Sequence, residues 1–249
     1  MTSAGGVTTA RPETLRAGSG STPTSALHEP QFGAKDLVVH PLPNRAARDI
    51  CRRRHYLGSY PGGAVLNFGI SVANTLLGVA VLGVGPPNTY RFFGADRHQV
   101  LCLARFWLDD RLGRNAESRT LSIILRMLRR HQSTVKALIA YSDPSAGHTG
   151  TIYRAAGFLY LGESETTPLY RLPDGSLHHS RTLGHRFGSR SLRHFESHGV
   201  HLEVVAQERK LIYVALIDRD FRHRLTRSVR PYPAKDGPNF RIAGKESAN

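Results

Sequence analysis

Apolar and polar positions along the chain predict an alternation of strands and helices. Short runs that are either continuously apolar or alternating have the length of buried or half-buried strands. These runs lie at residues 36–42, 66–73, 76–85, 100–108, 135–142, 158–162, 168–172, 200–205 and 211–216. Apolar residues recur with helical spacing in 44–55, in a longer segment that reaches about His131, and briefly in 151–156. This order of elements predicts an α/β domain with a mixed central sheet.

The pattern fades at both ends of the chain. Residues 1–34 are mainly Gly, Ser, Thr, Ala and Pro, with too few large apolar side chains to form a core, so they are predicted to be a disordered leader. Residues 35–175 hold the α/β domain, and residues 176–233 are predicted to form a basic C-terminal extension that packs on it. Residues 234–249 are predicted to be a disordered tail.

Chemistry concentrates in the loop after the strand at 135–142. Ser142 and Asp143 end this strand, and His148 and Tyr153 follow shortly after. Functional sites of open α/β sheets lie beyond the carboxyl ends of such strands. A Ser-Asp-Pro turn followed by a helix cap would also account for the spacing. The density of ionisable and hydrogen-bonding groups favours a functional site.

Arg105 lies inside the predicted strand 100–108, between apolar neighbours. A guanidinium in such surroundings needs a partner, because desolvating an unpaired charge is costly. A substrate or cofactor anion could be that partner, and so could Asp109, Asp110 or Glu117 in an ion pair. The sequence leaves both interpretations open.

The long helix that follows opens with a loop typical of phosphate binding. Gly113, Arg114, Asn115 and Ser118 stand at its start, where free backbone N–H groups and the helix dipole favour anions. We predict that these residues form a cradle for a phosphate of a donor molecule or of DNA.

His55 and Tyr56 lie together at the end of the first predicted helix. An imidazole next to a phenol can act as a base, as a pair of metal ligands or as a ledge on which a nucleobase stacks. A packing corner is the plainer interpretation, and the pair alone does not decide between them.

The net charge of the chain indicates which class of molecule it binds. It has 34 Lys and Arg residues against 19 Asp and Glu, a formal net charge of +15. Such a field attracts polyanions, although a basic surface can also serve solubility alone. The cationic residues concentrate in 45–53, 181–193 and 219–230.

The cysteines and the hydropathy indicate a compartment. Cys51 and Cys102 are the only cysteines, and they resemble neither a disulfide framework nor a zinc knuckle, so a reducing interior suits the protein. No apolar run has the length of a membrane span, and the N-terminus lacks the apolar core of a signal peptide. We therefore expect a soluble protein of the cytoplasm.

Four motifs carry a closer resemblance to a known family. They lie at 55–58 (His-Tyr-Leu-Gly), 103–108 (Leu-Ala-Arg-Phe-Trp-Leu), 115–118 (Asn-Ala-Glu-Ser) and 141–155, which contains Ser-Asp-Pro and Gly-His-Thr-Gly. Together they resemble the Mom-type bacteriophage DNA modification proteins, from about residue 36 to 233. The resemblance implies a fold like that of the N-acetyltransferase (GNAT) superfamily, with a mixed sheet flanked by helices and its catalytic domain at 35–175. It also implies an enzyme of the host cytoplasm that adds a carbamoylmethyl-type group to adenine N6 in double-stranded DNA and so protects phage DNA from restriction.

The same resemblance implies a donor and allows a metal. Acetyl-CoA or a related acyl donor would bind at Gly113, Arg114, Asn115 and Ser118. The usual GNAT pyrophosphate loop, Arg/Gln-x-x-Gly-x-Gly, is only approximated by residues 111–116. Iron would suit the oxygen and imidazole donors of a metal site formed by His55, Tyr56 and Asp143.

The chemistry of adenine assigns roles within the site. The N6 amine is a poor nucleophile because its lone pair is delocalised into the ring, so a catalyst must accept a hydrogen bond from N6 and align the electrophile. We predict that Asp143 accepts this hydrogen bond from a flipped adenine and that Tyr153 orients the base or stacks on it. The other predicted catalytic residues are Ser142, Arg105, Ser118 and His148.

Other classes of protein fit the sequence as well. A different N-acetyltransferase or an adenine-N6 methyltransferase would share much of the pattern, although no strand–Gly-x-Gly–helix start supports the methyltransferase. A non-catalytic DNA-binding protein needs only the basic surface, and the loop after residue 142 would then be structural.

The density of cationic residues predicts salt-sensitive and weakly selective binding of duplex DNA. A protein that neutralises several phosphates releases the cations condensed on DNA, so its affinity for DNA falls steeply as the salt concentration rises. For six phosphate contacts the loss is roughly a thousandfold between about 50 and 200 mM salt. Affinity measured against salt concentration should therefore give a steep line on logarithmic axes. A flat line would contradict the prediction.

Overall fold

The computed structural model describes residues 32–86, 89–166, 169–189, 191–205 and 209–233. Within these ranges, ten strands form two sheets. The strands are β1 Val38–Pro41, β2 Ala64–Val72, β3 Thr75–Gly83, β4 Val100–Leu108, β5 Ala137–Ser142, β6 Leu159–Glu163, β7 Leu169–Arg171, β8 Leu177–His179, β9 Glu203–Val205 and β10 Leu211–Leu216. The helices are α1 Asn44–Arg54, α2 Ala116–His131, α3 Thr151–Ala155, α4 Ser180–Phe187 and α5 Leu192–Ser197. The predicted fold class, a mixed α/β sheet flanked by helices, is confirmed.

The main sheet has seven strands in the order β1-β2-β3-β4-β5-β10-β6, and a second sheet has the order β8-β7-β9. Pairing in the main sheet is antiparallel except between β4 and β5. That parallel pairing covers only Val100–Cys102 against Ala137–Ile139, after which no register joins the two strands. The second halves of β4 and β5 therefore separate and leave a gap in the sheet.

The core lies on both faces of the main sheet, as the continuous apolar runs require. On β3, Ala80 and Leu82 belong to the cluster that contains the buried side of α2, whereas Val79 and Val81 pack with Ala47 and Cys51 of α1. Successive strand residues point to opposite faces, so β3 is buried on both faces of the sheet.

β10 lies between β5 and β6 although it comes late in the sequence. Its residues pair with β5 from Leu211↔Ser142 to Leu216↔Ala137. The sequence pattern placed this strand in the C-terminal extension, because periodicity shows that a strand exists and not which strand it pairs with. The main sheet thus extends beyond residue 175, while α4 and α5 lie against the second sheet around a small core of Tyr170, Leu183, Phe195 and Leu202.

Several predicted boundaries are corrected by the structure. The first long hairpin turns at Ala73 and Asn74, which both have positive φ (47° and 65°), and not at residues 74–75. Two adjacent left-handed residues are typical of a tight hairpin turn, for which asparagine is suited. Pro43, and not Asn44, is the N-cap residue of α1. The Asn44 side chain instead accepts hydrogen bonds from the amide of Asn67 and the hydroxyl of Tyr60.

The structure describes only a small part of the predicted leader and none of the predicted tail. Residues 1–31 and 234–249 lie outside the described residues, so most of both segments is untested. Residues 32–34 were assigned to the disordered leader, but Phe32 forms a β-bridge with Leu112 and hydrogen-bonds with Arg111 and Gly113. No helix among the described residues is both long and apolar enough to span a membrane.

Gly150 provides a test of the contact between β10 and the loop after β5. Gly150 has φ +77°, and a Cβ there would collide with the ring of Tyr213. Gly157 has nearly the same φ of +78°, but a Cβ there would meet nothing within 4 Å. We expect Gly157→Ala to lower the unfolding free energy by about 1–2 kcal/mol through left-handed strain alone. Gly150→Ala should cost about 1–3 kcal/mol more because of overpacking, as measured by chemical denaturation. Equal losses in the two variants would show that Tyr213 does not confine this loop.

Candidate active site

A pocket of about 280 Å³ occupies the gap between β4 and β5. One wall is the second half of β4, and the other is the end of β5 with the loop that leads into α3. The turn after α1 covers one side. The lining residues include His55, Tyr56, Leu57, Arg105, Asp143, His148 and Tyr153. The structure therefore brings together the predicted site residues from three separate motifs.

Asp143 directly follows β5 and lines this pocket. Its Oδ1 accepts hydrogen bonds from the backbone N–H and the hydroxyl of Ser145, at 3.2 and 2.5 Å. Its Oδ2 lies 3.3 Å from Nζ of Lys210, and the carboxylate is only 13% exposed. Burial by itself raises the pKa of Asp143, but the hydrogen bonds from Ser145 and the charge of Lys210 outweigh it and hold the pKa below its usual value. Asp143 is therefore an ionised hydrogen-bond acceptor at neutral pH.

Lys210 is a site residue that the sequence analysis missed. It immediately precedes β10, and pairing of Leu211 with Ser142 brings it beside Asp143. More than sixty positions separate the two residues in the chain, and neither neighbourhood carries a motif that relates them. Only the pairing of β10 with β5 could have revealed the contact.

Ser142 maintains the shape of the loop and does not present a free hydroxyl. It is 2% exposed, and its Oγ donates a 2.6 Å hydrogen bond to the carbonyl of His148. The backbone N–H of His148 in turn donates to the carbonyl of Asp143 at 3.0 Å. These two bonds fold the loop back on the end of β5, while the His148 side chain remains exposed at the pocket.

Tyr153 supplies an unpaired hydroxyl. Its ring packs against Phe158 and Tyr213, with centroids 5.4 and 5.2 Å away, and the residue is 8% exposed. Its hydroxyl makes no hydrogen bond within the part of the chain that the structure describes. Burial raises the pKa of Tyr153 far above its usual value, so the phenol stays protonated. A hydroxyl that has no protein partner and lies in a pocket wall is suited to donate a hydrogen bond to a bound ligand.

His55 and Tyr56 form a stacked pair at the pocket wall. Their ring centroids lie 4.6 Å apart, and the ring of Tyr56 also lies 5.6 Å from that of His148. Nδ1 of His55 accepts a 3.1 Å hydrogen bond from the backbone N–H of Leu57. Burial, together with the positive charge of Arg105 and the proximity of His148, lowers the pKa of His55 to about 4. His55 is therefore a neutral imidazole with its proton on Nε2.

Arg105 hydrogen-bonds to the turn after α1 and to its own strand. Its Nε donates to the carbonyl of Ser59 at 2.8 Å and one Nη donates to the Ser59 hydroxyl at 3.0 Å. The other Nη donates to the carbonyl of Ala104 at 2.6 Å. The predicted ion pair with Asp109, Asp110 or Glu117 is wrong, and Asp109 pairs with Arg111 instead. Arg105 thus fastens the turn after α1 to β4 and leaves a positive charge in the wall of the pocket.

The predicted metal ligands share this pocket, but iron is not supported. The described residues contain no group of three or more His, Cys, Asp and Glu side chains that could hold a metal ion. Asp143 is already bonded to Ser145 and Lys210, and Nδ1 of His55 accepts the N–H of Leu57. Burial and the nearby charge of Asp143 raise the pKa of Tyr56, which disfavours the phenolate that a metal would bind.

The predicted phosphate cradle lies in a separate groove of about 390 Å³ at the start of α2. Its lining includes Lys35, Arg114, Asn115, Ser118, Arg119 and Arg126. Gly113 is not in this lining, and its N–H already donates to the carbonyl of Phe32. The hydroxyl of Ser118 donates to the carbonyl of Asn115 at 3.2 Å. Ser118 is therefore separated from Asp143, and the cations of the groove fit a phosphate group.

The predicted cationic surface is only partly described. Arg45, Arg48, Arg52 and Arg54 are exposed on α1, and Asp49 pairs with Arg53. In the stretch 181–193, the side chains of Arg181 and Arg186 and the whole of Arg190 lie outside the described residues. In 219–230, Arg227 is engaged with the carbonyl of Glu163 and the ring of Phe92, and Arg224 with the carbonyl of Gly94.

The fold and the pocket define an α/β protein with a polar cavity between two separated parallel strands. The chain belongs to the Mom protein family, whose sequence model matches residues 36–234. One relative is the methylcarbamoylase Mom of Escherichia phage Mu, which is 28% identical over 214 residues, covering 81% of this chain and 86% of that protein.

Two solved structures show a distant likeness. The spermidine N-acetyltransferase of Vibrio cholerae, in complex with CoA and spermine, has 9% identity and a TM-score of 0.41, covering 73% of this chain and 96% of that one. An aminoglycoside acetyltransferase in complex with coenzyme A and kanamycin has 14% identity and a TM-score of 0.41, covering 61% and 99%.

The environment of His55 predicts a pH-dependent stability. Its pKa is about 4 in the folded protein, below the ordinary histidine value of about 6.5, so the unfolded chain binds the proton first as the pH falls. Protonation of Nδ1 would also remove the lone pair that accepts the N–H of Leu57. Stability should be fully present above about pH 6.5 and fall towards pH 4, by at most about 3 kcal/mol from this residue.

Denaturation between pH 7 and pH 4 measures this loss. His55→Asn keeps an acceptor near the Nδ1 position and cannot titrate, so its stability should depend less on pH. His98→Asn, which changes an exposed histidine, is the matched control and should lose stability as the unaltered chain does. Identical pH profiles for all three proteins would contradict the assignment.

Proposed function

We propose that this protein is a DNA base-modifying transferase that adds a small carbamoylmethyl-type or acyl-type group to adenine N6 in duplex DNA. For a phage, such a modification protects DNA from restriction. The observation that carries the proposal is the pocket between β4 and β5, which combines the ionised carboxylate of Asp143 with the unpaired hydroxyl of Tyr153. Membership of the Mom family and the name of the phage Mu relative, a methylcarbamoylase, support it.

Asp143 is suited to activate the exocyclic amine. An ionised carboxylate accepts a hydrogen bond from N6–H and so favours the geometry in which the nitrogen lone pair leaves the ring plane. As N6 attacks, a bond forms between N6 and the transferred carbon, the donor's leaving group departs and N6 loses one proton. Asp143 accepts that proton, and the charge of Lys210 helps to restore the carboxylate. The hydroxyl of Tyr153 donates a hydrogen bond that fixes the base or the transferred group.

The size and lining of the pocket suit one base and a small group. A cavity of about 280 Å³ lies at the lower end of ligand sites. Chemistry on a base requires that it leave the helical stack and enter such a pocket. The exposed arginines of α1 adjoin the turn that forms part of the wall, and they are suited to hold the phosphates on either side of the target.

The groove at the start of α2 is suited to hold the phosphates of an acyl donor. Arg114 and Arg119 are exposed there, and the N-terminal end of a helix adds a favourable dipole. Asn115 has φ 69°, so the backbone turns sharply into the helix at this point. Such a donor supplies the activated carbon, while the chain supplies the binding groove and the pocket.

Nucleoside mass spectrometry of DNA that is co-expressed with the protein tests this proposal. We expect an adenosine with added mass from the unaltered chain and at least about a hundredfold less from Asp143→Asn, the usual scale of general-base loss. Asp143→Asn is nearly isosteric and should retain affinity for DNA. Asp110→Asn, at an exposed carboxylate after β4, is the matched control and should modify DNA fully.

Each of the other outcomes would indicate a different function for this protein. N6-methyladenosine would indicate a methyltransferase. Unmodified DNA from the unaltered chain would indicate an acetyltransferase of another substrate or a non-catalytic DNA-binding protein. Full modification by Asp143→Asn would show that another group accepts the hydrogen bond from N6.

A further inference from the structure

The turn after α1 exposes two large apolar side chains at the rim of the pocket. Tyr56 is 59% exposed and Leu57 is 48% exposed, and both line the cavity. Neighbouring apolar side chains that are exposed beside a pocket mark a candidate interaction site. Tyr56 already packs its ring against His55 and faces His148. Leu57 has no ring, so it takes no part in this stack.

The turn that carries Leu57 is held firmly. The N–H of Leu57 donates to Nδ1 of His55, and the N–H of Gly58 donates to the carbonyl of His55 at 2.8 Å. Ser59 is held from the other side by two hydrogen bonds from Arg105. Gly58 has φ +55°, and a Cβ there would meet nothing within 4 Å, so the turn projects into open space. A side chain on a fixed, projecting turn can enter a partner without first becoming ordered.

The charge around the turn identifies the kind of partner. Arg52 and Arg54 are exposed in the last turn of α1, immediately before His55, and Arg48 and Arg45 are exposed about one and two turns earlier. An apolar tip that is preceded by a row of cations fits a surface in which phosphates flank stacked bases. Proteins that kink or open a duplex insert such apolar side chains between base steps.

We propose that Leu57 is a wedge that enters the base stack and fills the space left when the target adenine turns into the pocket. This inference rests on the proposed function and adds a step that the pocket residues do not perform. Insertion compensates the lost stacking, and Tyr56 provides the ledge beside which the displaced base enters. Leu57 is thus a positioning residue, because it acts on the duplex and not on the reacting atoms.

Fluorescence of 2-aminopurine tests this inference directly. The probe replaces the target adenine in a duplex of a sequence that the protein modifies in cells, and its emission rises when the base leaves the stack. We expect a rise with the unaltered chain and little or none with Leu57→Ala, together with a loss of more than about tenfold in modified adenosine. Leu57→Met should retain most of both signals, because it preserves an apolar side chain of similar reach.

Two controls separate a wedge from a structural role. Leu177→Ala changes a leucine of the same 48% exposure in β8, outside the pocket lining, and should leave both signals unchanged. A duplex in which the probe faces an abasic site already lacks the opposing pair, so Leu57→Ala should regain the fluorescence rise on it. Failure of this rescue would overturn the inference, because a misfolded pocket would explain the loss.

The outcomes also separate this inference from the proposed function. An unchanged fluorescence rise and full modification with Leu57→Ala would overturn the wedge alone. If the unaltered chain neither modifies DNA nor raises the fluorescence, both the proposed function and the wedge are wrong.

Discussion

The separation of β4 from β5 is the constraint on which the site depends. The two strands pair only from Val100 and Ala137 to Cys102 and Ile139, so their remaining backbone groups border a cavity inside an otherwise continuous sheet. Such a gap is stable only if its walls are fixed by other contacts, because unpaired strand edges gain nothing from each other. Arg105 fixes the β4 wall by bonding to Ser59. The rest of the site follows from how the β5 wall is fixed.

β10 fixes that second wall. It pairs with β5 along its whole length and brings Lys210 beside Asp143. The hydroxyl of Tyr213 donates to the carbonyl of Thr149 at 3.0 Å, and its ring packs under Gly150 and against Tyr153. A strand that comes late in the sequence thus shapes the loop and packs against the phenol, and the lysine that precedes it adds to Ser145 in lowering the pKa of Asp143. Chemistry at the end of β5 requires this distant segment to be folded in place.

Local patterns in the sequence predicted local structure well. The apolar run at 100–108 matches β4 at both ends, the long helix ends at His131, and Gly157 with φ +78° follows α3 as predicted. The place of Asp143 in the pocket wall could be predicted, because a carboxylate at the end of a buried strand is a local signal. Lys210 and the partner of Arg105 depend on contacts across 67 and 46 positions in the chain, and periodicity carries no information about such pairs. Motif matching also joined Ser118 to Asp143, which lie in different cavities.

If the protein has the proposed function, it must meet two opposing electrostatic requirements. Binding DNA requires a strongly cationic surface, but cations near the pocket weaken a carboxylate as a base by lowering its pKa. Here the cations of α1 are exposed to solvent, where salt screens them, and Lys210 is the cation that contacts Asp143 directly within the described residues. Asp143 is then a weak base but a good hydrogen-bond acceptor, which is the requirement for an amine that loses its proton only after the new bond to carbon has begun to form. With this order of events, the rate depends mainly on how reactive the donor carbon is. An activated donor is therefore needed in this proposal, because a stronger base could not replace it.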